Sequence, residues 1–269
     1  MPQKTVHEKI TVDSEYDETQ HLVSDISNAR SYLNKLLVLV DGIEDKTLQI
    51  ISMFSLIDML AQEQANYPPD FKSAFREFVL NHQKQCDYLE EIEPVTLYYR
   101  VEDLIDEVEF MPGMPPQKEV SIDSLGYLHA KPVKSVLPQG KSKEILDYIE
   151  RKKGHAFAAK KSEEHQLISL LYRMRSKAVH EMSGLGESLQ LHKELKPIEP
   201  YYRDVGRSYV EDEHWVHDDV IELVIPNVFV RNILLDCIDG YLTDCLKNKR
   251  FPFSNNCLTR RHRLSWYDK

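Results

Sequence analysis

Four cysteines among 269 residues, Cys86, Cys237, Cys245 and Cys257, show neither a disulfide framework nor the paired spacing of a zinc site. The chain is expected to stay reduced. Long apolar runs are equally scarce: the longest, around Ile50 to Ala61, is broken by Ser52, Ser55 and Asp58 and falls short of a bilayer's thickness. No membrane segment is expected. With no apolar amino-terminal stretch to export it, the chain reads as soluble and cytoplasmic. Glycine numbers only 9, and none of it forms a phosphate-cradling loop or a Gly-x-Ser-x-Gly elbow. Together with the lack of a cysteine-based catalytic signature, this sets those enzyme classes aside.

What is present is the balance of a folded protein. Hydrophobic residues make up 42% and charged residues 29%, enough for a sizeable core in one large domain or two. The net charge of −10 is unevenly spread. Residues 1–110 hold 22 Asp/Glu against 9 Lys/Arg, whereas residues 246–269 hold 7 Lys/Arg against Asp268 alone. A second basic stretch, Lys131 to Lys177, has 12 Lys/Arg against 5 Asp/Glu, so an acidic total does not exclude a nucleic-acid partner. A plainly solvated surface accounts for such runs equally simply.

Apolar spacing predicts a chain of amphipathic helices. Leu22, Ile26, Ala29, Leu33, Leu36 and Val40 recur every three or four positions, and Gly42 ends that helix. The next helix, Asp45 to Asn66, carries Leu48, Ile51, Phe54, Ile57 and Leu60. Tyr67-Pro68-Pro69-Asp70 then breaks the chain and starts a third helix with Phe71, Ala74, Phe75, Phe78 and Val79. Glu93 to Asp106 reads as a short helix, although Val95, Thr96, Tyr98 and Tyr99 also suit a strand. Helices resume over Ser142 to Lys152 and, after Gly154, over Ser162 to Met182, with a stripe of Leu167, Leu171, Met174, Ala178 and Met182. Ser183-Gly184-Leu185-Gly186 terminates this segment. The last helix starts at Asn227 and buries Val230, Ile233, Leu234, Cys237, Ile238, Tyr241, Leu242 and Cys245. Two Pro-containing, strand-like stretches, near 111–140 and 189–226, interrupt the helical pattern.

One helix carries candidate chemistry. In Leu170-Leu171-Tyr172-Arg173-Met174-Arg175-Ser176-Lys177-Ala178-Val179-His180-Glu181 the apolar stripe leaves Arg175 and His180 outside it. An apolar helix ending in Arg-x-x-x-x-His, with a polar residue directly after the arginine, resembles the HEPN superfamily of RNA-cleaving domains. The likeness is strongest over residues 162–186. It implies a mainly α fold, a helical bundle of HEPN type with two strand-containing insertions. The implied layout is a loose arm over residues 1–17, one domain over 18–247 and a basic tail over 248–269.

The resemblance implies a metal-independent endoribonuclease that attacks through the RNA 2′-hydroxyl and leaves a 2′,3′-cyclic phosphate and a 5′-hydroxyl. No cofactor is required. Histidine transfers protons near neutral pH, the role of His180. Arginine stays cationic and grips phosphate through two parallel hydrogen bonds, the role of Arg175. On a straight helix these two residues point about 140° apart, so either the helix loosens before Gly184 or a second copy completes the site. HEPN ribonucleases are dimers with the motif along a shared cleft, so a homodimer is implied. A toxin or a stress or defence effector is the expected role, with an antitoxin or regulatory protein as a further partner. The alternative is a non-catalytic module of the same family that binds RNA or a protein. An Arg and a His near a helix carboxyl end also suit the helix dipole with no active site at all.

Supporting residues are read with two outcomes each. Ser176, four residues before His180, either orients the imidazole or is a surface serine. Lys177 and Arg173 are candidate RNA contacts. Asp58, among apolar neighbours, either positions Arg175 or simply meets solvent or a neighbouring group. Arg260, Arg261 and Arg263, beside Trp266 and Tyr267, either form a single-strand RNA surface or a charged terminus. Glu213-His214-Trp215-Val216-His217-Asp218-Asp219 contains metal-capable side chains in a loop, without the further ligands a metal site needs.

Overall fold

A computed structural model describes residues 4–66, 69–84, 86–101, 131–133, 141–181, 189–192, 198–211 and 214–254. The fold is mainly α: eight helices and four strands lie among the described residues. The helices are α1 (Lys4–Asp41), α2 (Lys46–Gln64), α3 (Phe71–His82), α4 (Pro94–Val101), α5 (Lys141–Lys153), α6 (His155–Glu164), α7 (Leu167–Glu181) and α8 (Asn227–Lys247). The strands are β1 (Lys131–Pro132), β2 (Leu189–His192), β3 (Tyr201–Glu211) and β4 (His214–Pro226). No helix is long and apolar enough to cross a membrane, among the described residues. The chain divides into two compact units, Met1–Lys84 with Ile233–Lys269, and Gln85–Asn232.

In the first unit α1 begins at Lys4 and so takes in most of the segment expected as a loose arm. Its carboxyl end is closed by the buried Gln49, whose Nε2 donates to the Val40 carbonyl at 3.2 Å. Asp45, read from sequence as the first residue of this helix, instead caps α2, accepting from the Thr47 and Leu48 amides at 2.8 and 2.9 Å. That cap puts Leu48 in the first turn, where it is 47% exposed, and Ile50 and Met53 fill the core instead. Asp70 caps α3 in the same way, accepting from Lys72 and Ser73. The eight residues expected to be buried along α8 are all buried.

A close approach joins α3 to α8. Gly240 leaves room for the His82 imidazole against the helix backbone, where a Cβ would lie 2.4 Å from Nδ1. His82 Nε2 donates to Gln64 Oε1 at 2.8 Å and lies 3.6 Å from Asp244 Oδ2. Burial lowers the histidine's pKa, with Asp244 pulling the other way.

The second unit combines α4 to α7 with a four-stranded sheet in the order β1-β3-β4-β2. β3 and β4 pair antiparallel from Tyr201↔Val224 to Glu211↔His214. β2 runs parallel to β4 from Leu189↔Leu223, and β1 lies antiparallel on β3 at Lys131↔Tyr202. The strands fall in the two stretches read as insertions. His214 to Asp219, read as a loop, instead belongs to β4, because the β-branched run that follows it extends back through the hairpin. Glu93 makes α4 a helix: its carboxylate accepts from the Val95 and Thr96 amides at 2.8 and 2.7 Å and from the Tyr202 hydroxyl at 2.5 Å. Gly154, with φ 91°, turns the chain between α5 and α6, a conformation that side chains with a Cβ resist.

Candidate functional site

The motif helix α7 starts later than its apolar periodicity suggests. His165 and Gln166 leave the helical path, because they pair with the segment around Ile92 in an antiparallel bridge. The Glu93 amide donates to the His165 carbonyl at 2.9 Å. In return the Leu167 and Ile168 amides, orphaned at a helix start, donate to the carbonyls of Glu91 at 3.1 Å and Leu89 at 2.8 Å. Residues 89–93 thereby fix the point at which α7 begins.

From there the sequence holds the helix firmly on one side. Leu167, Ile168, Leu170, Leu171 and Met174 are buried, while Tyr172, Arg173, Arg175, Ser176 and Lys177 are partly exposed. Burying five large side chains contributes on the order of 10 kcal/mol before the cost of ordering the chain, so this is a rigid platform. Arg173 reaches back to the last turn of α6, its Nη2 donating to the Glu164 carbonyl at 3.0 Å. Arg173 therefore has a structural task, besides any contact with RNA. The Arg175 guanidinium lies over the Tyr172 ring, 5.7 Å from its centroid. The backbone of α7 remains helical through Glu181, so the chain does not loosen between Arg175 and His180.

Of the residues singled out from sequence, Arg173, Arg175, Ser176 and Lys177 therefore share one partly exposed stretch of α7. The backbone of His180 lies on the same helix, and its side chain is outside the described residues. Asp58 is buried in α2 of the first unit, whereas α7 belongs to the second. Ser183 to Gly186, Arg260, Arg261 and Arg263 lie outside the described residues, as do the side chains of Glu213 to Asp219. Among the described residues no group of three metal-capable side chains comes together.

Sequence reasoning missed His165. Its ring is fully buried beside the start of α7, and Nδ1–H donates to the Lys161 carbonyl at 2.9 Å. Burial pushes its pKa down to about 4, with Arg173 and Lys161 adding to the effect and the hydrogen bond opposing it. The ring is neutral at pH 7, and its buried Nε2 has no hydrogen-bond partner among the described residues. A fully buried imidazole offers no atom to a polymeric substrate, so this histidine supports the helix start rather than the chemistry. No signal in the sequence marks it, since it falls within what reads as continuous helix. No family model, curated protein or solved structure matches this chain, so any assignment of α7 rests on its own residues and geometry.

Proposed function

We propose that this chain is a HEPN-type, metal-independent endoribonuclease. The ribose 2′-hydroxyl attacks the adjacent phosphorus and gives its proton to a base. The bond from phosphorus to the 5′-oxygen breaks, and that oxygen takes a proton from an acid. His180 supplies proton transfer and Arg175 binds the phosphoryl oxygens as their charge grows. Ser176, Lys177 and Arg173 border the pair. Outside a toxin, stress or defence role, with an antitoxin or regulatory protein in control, unrestrained RNA cleavage has little use.

The observation that carries this reading is the placing of Arg175, Ser176 and Lys177 on the partly exposed side of a helix anchored by Leu167 to Met174. Catalytic groups work best on a rigid support with their tips accessible. The continuous helix supports a further step. A single histidine cannot start the same turnover as both base and acid, and the helix does not bend to bring Arg175 and His180 together. A second copy of the motif, facing the first across a dimer axis, supplies both needs. The stacking of Arg175 on Tyr172 favours the alternative, a non-catalytic module that binds RNA or a protein, because it gives the guanidinium a structural seat.

The test is incubation of the purified protein with total RNA in excess chelator, followed by analysis of the new ends. Cyclic phosphate and 5′-hydroxyl termini are expected. His180→Ala should lower the rate by about 10² to 10⁴. Arg175→Lys should keep much of the binding and lose turnover, since a point charge replaces a planar fork. Light scattering should return about twice the chain mass of 31.5 kDa. Folded variants that cleave at the parental rate would remove the ribonuclease assignment, and a monomer that cleaves fully would remove the shared site.

A further inference from the structure

The α5–α6 hairpin has two unlike sides. Ile145, Tyr148, Ile149 and Ala158 pack with Leu97 of α4 into a small apolar core. Away from that core, Arg151, Lys152, Lys153, His155 and Lys160 are exposed. Residues 151–162 contain no Asp or Glu. The carboxylates that flank this run are engaged: Glu150 with His155 at 3.0 Å, Glu164 with Lys161 at 2.8 Å and Lys160 at 3.9 Å, and Glu163 in an interaction of its own. Arg151, Lys152 and Lys153 form no ion pair among the described residues.

Stabilisation of the α5 carboxyl end accounts for part of this pattern, as cations there complement the helix dipole. It does not account for all of it. Among the described residues, Arg151 alone of these three cations reaches a carbonyl, its Nε donating to that of Asp147 at 3.3 Å. Arg151 and Lys152 sit 5.9 and 5.6 Å from the Tyr148 ring centroid, which holds both at the end of the hairpin. Three adjacent cations with no carboxylate partner among the described residues raise the local positive potential well above that of a mixed surface. Lys160 extends it, about 9 Å along α6 from Gly154. A line of cations suits an extended polyanion better than a small anion, which needs converging donors.

We propose that Arg151, Lys152, Lys153 and Lys160 form a contact surface for the phosphate backbone of single-stranded RNA, separate from the motif in α7. The choice of RNA as the polyanion rests on the ribonuclease reading. The contact is sequence-independent, because cations on phosphate carry no base information. Its role is to hold the strand while α7 acts on it.

Fluorescence anisotropy with a short labelled RNA, and with a DNA strand of the same sequence, tests this from about 50 to 200 mM salt. The DNA strand lacks the 2′-hydroxyl and reports binding without cleavage. Arg151→Ala/Lys152→Ala/Lys153→Ala should weaken binding at least about tenfold at low salt and make the salt slope shallower by roughly 2. The charge-keeping Arg151→Lys/Lys152→Arg/Lys153→Arg should bind like the parent. Unchanged affinity and slope in the alanine variant would overturn the proposal, as would binding to phosphatidylserine vesicles with none to either strand. The two readings fail separately. A protein that cleaves no RNA yet binds DNA through these residues keeps the surface and loses the ribonuclease. One whose alanine variant cleaves and binds like the parent keeps the ribonuclease and loses the surface.

Discussion

Burial keeps the His165 imidazole neutral down to about pH 4, whereas in the unfolded chain the ring takes up a proton near its ordinary 6.5. Between these values the unfolded state binds more protons than the folded one, so acid favours unfolding. The contribution is fully present above pH 6.5 and is lost as pH falls through 4. The gap corresponds to about 3 kcal/mol. His82 tilts the first unit the same way, since burial lowers its pKa too. Urea unfolding of the parent and of His165→Asn, from neutral pH to pH 4, checks this. The variant, which keeps a donor for the Lys161 carbonyl, should show the weaker pH dependence. Parallel curves would mean that this ring does not titrate on unfolding.

Among the helices, α8 carries a substitution whose sign is set by packing rather than propensity. Glycine to alanine inside a helix normally stabilises by about 0.5 to 1 kcal/mol. At Gly240 the new Cβ would lie 2.4 Å from His82 Nδ1 and 2.7 Å from its Cβ. Gly240→Ala should therefore destabilise, by about 1 to 3 kcal/mol, and His82→Ala should relieve much of that cost in a double-mutant cycle. A more stable Gly240→Ala, read by thermal unfolding, would contradict the close approach. The helices were legible where local chemistry decides them: the start of α3 at the Tyr67–Asp70 break, the α8 stripe, and Leu167, Leu171 and Met174 on the buried face of α7. The start of α7 was not, because His165 and Gln166 leave the helix for a partner some 70 residues earlier, and no local pattern records such pairing. The strand at His214 escaped for the same reason, its partner β3 being fixed by register rather than by its own polar residues. Of the candidate site, Arg175 and Ser176 were singled out through the likeness of the Arg-x-x-x-x-His element to a known family, while the tie from Arg173 to Glu164 needed the fold.

At the scale of the whole molecule, the second unit is an insertion into the first, whose two parts are residues 1–84 and 233–269. The first part of that unit, α1 to α3, relies on α8 for partners: Asp239 for Arg30, Asp244 for Gln64, Gly240 for His82. During synthesis those partners emerge only after Gln85–Asn232 has been made. At the usual pace of about 5 to 20 residues per second this is a wait on the order of 10 s or more for the partners of Arg30, Gln64 and His82. The second unit is continuous in sequence and has no such wait, so it should fold first on the ribosome although the other unit starts to emerge before it. Ribosome-bound chains arrested after residue 232 has cleared the exit tunnel should resist protease over α4 to α7 and over β3 and β4 while α1 to α3 are cut. Full-length released chains should resist over both units. Equal protection of the two units in the arrested chain would show that α1 to α3 reach a stable state unaided. Otherwise α1 to α3 stay exposed until α8 arrives, a period in which a chaperone can bind them.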